Sequence, residues 1–279
     1  MDNKADILAR AEIFRQLHNS DELFIAPNPW DAGSAKILES LGFKALATTS
    51  AGAAFSLARA DGNTALSLHD NLANAKVIMD AVRVPVSADL ENGYGNDPGG
   101  VADTILLAAE TGLAGGSIED ATGNPAKPIY DFDFAVERVE AAIKVTRSLG
   151  RPFMLTARAE NLIYGKDDLK DTLARLEAFA IAGADVVFAP GLKTREQITA
   201  AVKAVYPVHV NVLMGFDGVT MSVNELQDLG VKRISVGSSL FRSAYNAVFE
   251  AGKFMLGKGQ FNFADGSVSY GTLNKLFEK

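Results

Sequence analysis

Short β-rich apolar runs alternate with longer segments of helical period from one end of the chain to the other, and this alternation restricts the fold more than any other feature. The runs are Leu23–Ala26, Ala45–Thr48, Val84–Leu90, Ala114–Ile118, Phe153–Ala157, Asp185–Ala189, Val208–Val212 and Arg233–Val236. Between them, apolar residues recur every three or four positions, as in Leu72, Ala75, Ile78 and Val82 or Val136, Val139 and Ile143; that spacing predicts helices. Gly42, Gly112, Gly150, Gly183 and Gly230 follow successive helical segments, where a residue able to take the left-handed conformation ends a helix. The repeats predict an α/β fold, a (β/α)8 TIM barrel. An open doubly wound sheet is the competing arrangement, but no dinucleotide fingerprint follows the first strand. The glycine-rich stretch from Gly93 to Gly100 has Pro98 where that fingerprint needs its third glycine, and reads as a loop.

A chain of 279 residues is long enough for one barrel of about 250 residues. We expect a single domain over 1–279, with 240–279 as a helical extension whose Phe261, Phe263 and Phe277 suit packing on a neighbour. Residues 1–18 mix charged and apolar side chains as an amphipathic helix does, unlike a signal peptide, and no stretch reaches the ~20 apolar residues of a membrane span. The expected location is the cytoplasm. A net charge of −7 without a Lys/Arg block disfavours nucleic acid or an anionic membrane as partner, because each requires a concentrated positive field. The expected partner is a small molecule.

In a barrel, chemistry sits where strands end and loops begin. This filter selects Asn28, Trp30 and Asp31 after the first strand, Thr49 and Ser50 after the second, Asp89 and Glu91 at the third, and Glu119 and Asp120 after the fourth. It further selects Arg158 and Glu160 after the fifth, Asn211 near the end of the seventh, and Gly237 and Ser238 after the eighth. Asp89 and Glu91 are two apart, so extended geometry sends both to one side, and Glu119 ends the neighbouring strand. Three acids together need a cation, cationic side chains or shared protons. With no cysteine and only His18, His69 and His209 in the chain, oxygen ligands favour Mg²⁺ or Mn²⁺ over zinc. Arg158 suits a bidentate contact with a substrate carboxylate or an ion pair with these acids. Gly237 and Ser238 read as an anion site at the start of the last helix or, more simply, as its N-cap.

The run Asp89-Leu90-Glu91-Asn92-Gly93-Tyr94-Gly95 resembles the DxDxGYG segment of the isocitrate lyase and phosphoenolpyruvate mutase superfamily, with Glu in place of the second Asp. Ile118-Glu119-Asp120 resembles its next acidic segment, Thr156-Ala157-Arg158-Ala159-Glu160 its TARAD/E motif, and 27–35 its amino-terminal PGAYDALSA stretch. Four motifs in order on the expected strand ends make a specific signal. The resemblance implies that Asp89 ligates Mg²⁺ directly, that Glu91 and Glu119 hold metal-bound waters, and that Thr49, Ser50 and Ala51 meet a substrate carboxylate. It also implies roles for Asp61 and for Arg158 as the carboxylate arginine, with Trp30 and Asn211 as further substrate contacts. It implies a homotetramer that exchanges its last helix between subunits.

The chain departs from the family at 121–130, where isocitrate-type lyases carry a cysteine general acid/base and where the mutase-type Lys-Thr-Asn run is also missing. That segment reads as a mobile lid, with Lys127 and Tyr130 as candidate proton donors and Glu160 as another candidate base. The functional expectation is an Mg²⁺-dependent lyase that cleaves a C–C bond in a small 2-oxo or 2-hydroxy di- or tricarboxylate through a pyruvate-like enolate, by oxaloacetate-type decarboxylation or by retro-aldol cleavage. Competing expectations are a mutase-like or P–C hydrolase enzyme and a non-catalytic carboxylate-binding protein.

Overall fold

The structure is a computed structural model that describes residues 4–62, 65–216 and 218–278. Helix α1 (Lys4–Asn19) precedes β1 (Phe24–Ile25), α2 (Ala32–Ser40), β2 (Leu46–Ala47), α3 (Ser50–Ser56), α4 (Leu68–Ala81), β3 (Val86–Asp89), α5 (Pro98–Glu110) and β4 (Gly115–Glu119). Then follow α6 (Phe132–Ser148), β5 (Met154–Arg158), α7 (Leu169–Ala182), β6 (Val186–Phe188), α8 (Arg195–Val205), β7 (His209–Leu213), α9 (Val223–Asp228), β8 (Arg233–Ser235), α10 (Ser239–Lys258) and α11 (Tyr270–Phe277).

The eight strands pair in parallel in the order β1-β8-β7-β6-β5-β4-β3-β2. Pairing of β1 with β8 rules out the open doubly wound sheet, whose strand order reverses part-way. The remaining seam is bridged by the Ala47 N–H donating to the Pro27 carbonyl at 3.1 Å. Each strand overlaps its expected run, and Gly42, Gly112, Gly150, Gly183 and Gly230 all have positive φ, so the helix stops predicted from glycine are present.

The amino-terminal helix α1 closes the bottom of the barrel. Phe14 is fully buried with Phe24 and Met154, a burial that contributes roughly 2–3 kcal/mol. Gly115 makes room for it: a Cβ there would lie 2.5 Å from the Met154 carbonyl oxygen and 3.0 Å from the Phe14 ring. At the opposite end, side chains that end strands also start helices. Asp31 accepts from the Ser34 N–H at 2.7 Å and Thr49 from the Gly52 N–H at 3.2 Å, capping α2 and α3. Beyond the barrel, α10 stands largely exposed, with Val248, Phe249 and Leu256 facing outward, and α11 returns to pack on α2 of the same chain.

Candidate active site

A cavity of about 230 Å³ lies at the carboxyl ends of the strands, lined by Asn28, Thr49, Ser50, Ala51, Asp61, Asp89, Arg158, Asn211 and Ser238, among others. Asp89 is the last residue of β3. Its Oδ2 accepts from the Ser50 N–H at 3.2 Å and the Ser50 hydroxyl at 2.9 Å, and its own N–H donates to Thr48 Oγ1 at 2.9 Å. The start of α3 and the end of β3 therefore fix one carboxylate from two sides. Asn28 completes the rim: its side chain donates to the Thr48 carbonyl and accepts from the Val236 and Gly237 N–H groups.

Arg158 ends β5 and faces three acids. Nη1 lies 2.9 Å from Asp89 Oδ1, Nη2 3.1 Å from Glu119 Oε2 and Nε 2.8 Å from Glu160 Oε1. Its guanidinium also lies over the Phe188 ring, 5.3 Å from the centroid. Burial works against its charge, but Glu160, Glu119 and Asp89 together hold its pKa well above the ordinary value. Glu119 is in register with Arg158. Burial raises its carboxyl well above the usual range, and repulsion from Glu160, Asp89 and Glu91 adds to the shift against the pull of Arg158. Burial likewise pushes Glu160 up to about 7. Asp61 lies at the mouth, where lost hydration and then Asp89 raise its carboxyl.

The acids around Arg158 outnumber it, and the raised carboxyls of Glu119 and Glu160 express an unmet demand for positive charge. The donors are hard oxygens, which fit Mg²⁺ or Mn²⁺. Among the described residues, no three His, Cys, Asp or Glu groups stand close enough to ligate one cation together. The residues therefore fit a cation held directly by one carboxylate and otherwise through water, which Mg²⁺ tolerates well.

The sequence profile of the Phosphoenolpyruvate phosphomutase family matches residues 14–256. The chain belongs to this family. It superimposes on the crystal structure of a candidate lyase/mutase from Burkholderia cenocepacia J2315 with a TM-score of 0.96 and 48% identity, covering 99% of this chain and 98% of that one. It also superimposes on 2,3-dimethylmalate lyase, a member of the PEP mutase/isocitrate lyase superfamily, with a TM-score of 0.85 and 30% identity over 96% and 94% of the two chains. It is 28% identical over 246 residues to the oxaloacetate decarboxylase of Paraburkholderia xenovorans (strain LB400), covering 85% of this chain and 79% of the relative.

Several expected positions of this phosphoenolpyruvate phosphomutase family member stand elsewhere than the sequence suggested. Strand β3 ends at Asp89 and Glu91 has φ +46, so alternation no longer aligns the two. The Glu91 carboxylate accepts from the Tyr94 hydroxyl at 3.0 Å. Trp30 does not line the cavity; its ring packs edge-on against Phe241 at 5.3 Å. Lys127 is exposed and pairs with Asp131. Tyr130 lies under Arg138, 4.3 Å from the guanidinium carbon, and edge-on to Phe134, away from the cavity lining.

The segment expected as a lid braces itself through an antiparallel bridge between Ala121 and Ile129 and a 2.8 Å bond from the Thr122 N–H to the Pro128 carbonyl. Ser238 stands at the N-cap position of α10 as expected, but makes no side-chain cap bond; it lines the cavity. The strand-end filter missed two groups. Tyr164 follows β5, and burial, then Glu119 and Glu160, raise its phenol to about 12. Arg233 lines the cavity from below. Its signal was parity: Arg233, Ser235 and Gly237 alternate with the apolar Ile234 and Val236.

Proposed function

We propose that this chain is an Mg²⁺-dependent carbon–carbon lyase of small 2-oxo or 2-hydroxy di- or tricarboxylates, working through a pyruvate-like enolate. The observation that carries the reading is the meeting of Asp89, held by Ser50, with Arg158 at the wall of a 230 Å³ cavity. The relatives named above, an oxaloacetate decarboxylase and a 2,3-dimethylmalate lyase, support this substrate class.

Arg158 binds the substrate carboxylate by exchanging one of its acid contacts for it, keeping Nε on Glu160 so that the guanidinium plane does not turn. The Thr49 hydroxyl and the Ala51 N–H meet the substrate from the α3 side, beside Ser50, whose own N–H and hydroxyl are held on Asp89, so this wall is oriented before the substrate arrives. Asp89 would hold the metal, with Glu91 and Glu119 reaching it through water. When bound, the cation supplies Lewis-acid stabilisation of negative charge on the 2-oxygen.

Decarboxylation of an oxaloacetate-like acid requires no base to deprotonate a hydroxyl, and it suits a chain without cysteine. Retro-aldol cleavage requires such a base; Glu160, with its carboxyl raised to about 7, is a candidate by proton affinity, but it stands outside the cavity lining and is held on Arg158, so decarboxylation is the favoured reading. A panel of 2-oxo and 2-hydroxy diacids, followed for Mg²⁺-dependent pyruvate release, tests both; no turnover of any member counts against both. Calorimetric titration with oxalate, a planar enolate mimic, is expected to show tight binding only with Mg²⁺.

The exposed apolar face of α10 supports a homo-oligomer, proposed as a tetramer exchanging this helix; a monomeric mass in light scattering at micromolar concentration contradicts it. No helix among the described residues is long and apolar enough to cross a membrane, and the proposed location is the cytoplasm.

A further inference from the structure

Arg233 opens β8 and sends its side chain into the barrel below Asp89 and Arg158. It is 5% exposed. Nε donates to Asn211 Oδ1 at 2.8 Å and Nη2 to Thr156 Oγ1 at 2.9 Å; both partners are neutral. Nη1 has no partner, and among the described residues no carboxylate forms an ion pair with this guanidinium. Burial lowers its pKa only to about 10, so it remains charged at neutral pH.

A buried cation with only neutral contacts is costly, and buried charges are ordinarily paired. The contrast with Arg158, which meets three acids, is sharp. One cavity touches both arginines, and Ser87, Ser117 and Ser235 also line it. These hydroxyls can donate to an anion, and none of them is itself charged. His18 lies toward the bottom of the barrel. Its Nδ1 is 2.8 Å from the Phe14 carbonyl oxygen and so carries the proton, which leaves Nε2 an unpartnered acceptor. Burial and the nearby Arg233 keep that ring neutral, so it does not balance the guanidinium.

We propose that Arg233 forms the floor of a carboxylate pocket on the barrel axis, which receives the second carboxylate of a diacid whose other end sits at Asp89 and Arg158. This rests on reading the upper cavity as the site of a small carboxylic acid. The volume, about 230 Å³, falls below the ~300–1,000 Å³ of drug-sized pockets and suits a diacid of four or five carbons. Arg233 is then a specificity-determining residue that selects diacids over monoacids of equal length.

The test is calorimetric titration of the wild type and Arg233→Met with succinate and with butyrate. Loss of one partner of a buried charge pair is expected to weaken succinate roughly 30-fold or more, with butyrate unchanged. Equal effects on the two acids, or none, overturn the pocket, as they would if Arg233 served only to reach His18 through a buried water. If the variant lacks a cooperative melt, the wild type decides: in protein labelled with ¹⁵N-arginine, the Arg233 Nε–H resonance shifts with succinate and not with butyrate. An unmoved resonance overturns the proposal. Pyruvate release separates this from the lyase reading. A working lyase whose Arg233→Met form keeps its diacid preference refutes the pocket alone; succinate bound through Arg233 without turnover of any diacid refutes the lyase alone.

Discussion

Arg158 Nε and Glu160 Oε1 stand 2.8 Å apart, two positions apart at one strand end. That bond fixes the edge of the guanidinium and leaves Nη1 and Nη2 directed at Asp89 and Glu119. Glu160 is itself anchored, its N–H donating to Asp120 Oδ1 at 2.8 Å, while Asp120 Oδ2 pairs with Arg175 at 3.0 Å. Glu160→Gln keeps the shape and removes the charge. It is expected to lower kcat/KM roughly 10–100-fold, as loss of an orienting partner does, while the melting curve stays cooperative.

The same pair has a pH signature. Burial pushes Glu160 up to about 7, so its charged hold on Arg158 is present above that value and weakens as pH falls through it. Wild-type kcat/KM is expected to decline on the acid side of about pH 7, and the Gln variant to lack that limb. Stability runs the other way. A carboxyl raised above its ordinary 4.5 contributes stability that is fully present below 4.5 and is lost as pH rises through about 7.

Eight apolar runs and five glycine stops were enough to read the barrel, because strand alternation and left-handed helix ends depend on local chemistry. The strand ends likewise located Asp89 and Arg158 in the cavity wall, with Glu119 on Arg158, while Asn211 lines the cavity lower down, against Arg233. Glu91 was misplaced because the strand stops at Asp89, and its positive φ is a backbone turn that counting by two does not detect. Lys127 and Tyr130 were read as functional from loop position, and Trp30 from its place after the first strand and the family resemblance. Their partners, Phe241, Asp131 and Arg138, are set by helix packing and by the path of the loop. Arg233 was missed because an arginine at the start of an apolar run usually faces solvent, and only the closed barrel turns it inward.

His18 is buried against Phe14 and Phe24, with ring centroids at 4.6 and 4.9 Å. Burial, then Arg233, depress its pKa well below 6.5. The unfolded chain therefore takes up a proton near pH 6.5 that the folded chain refuses, and the stability this ring contributes above 6.5 is lost as pH falls below it, by at most about 1.4 kcal/mol per pH unit. Urea unfolding at pH 8 and pH 5 is expected to show a shallower loss in His18→Leu than in the wild type. An identical loss in both would mean that other groups govern the acid limb.

Gly95 sits where the loop after β3 crosses the start of α5. A Cβ at this position would lie 2.5 Å from the Gly100 Cα and 2.6 Å from its carbonyl carbon, both rigid backbone atoms. The Gly95 carbonyl also accepts from Arg138 Nη1 at 2.7 Å, so the loop has little freedom to retreat. Gly95→Ala is expected to cost about 1–3 kcal/mol in urea unfolding, the range for forced overpacking. It is also expected to lower activity, because the displaced turn carries Tyr94 and, through its hydroxyl, Glu91.

Lys127 tests whether the loop after β4 supplies a proton. Its ammonium pairs with Asp131, four positions on and ahead of α6, and both side chains are mostly exposed, at 58% and 75%. A pair this exposed is screened by solvent and contributes too little to hold the loop, which its own Ala121–Ile129 bridge already braces. Lys127→Ala is therefore expected to leave stability within ~0.5 kcal/mol and kcat/KM within about twofold, since a proton donor must come within hydrogen-bond reach of the reacting atom. A fall of about 10²-fold or more in kcat, the usual size of a lost general acid, would show that the loop swings Lys127 over the cavity during turnover. The proton would then have to be assigned to it rather than to the groups around Arg158.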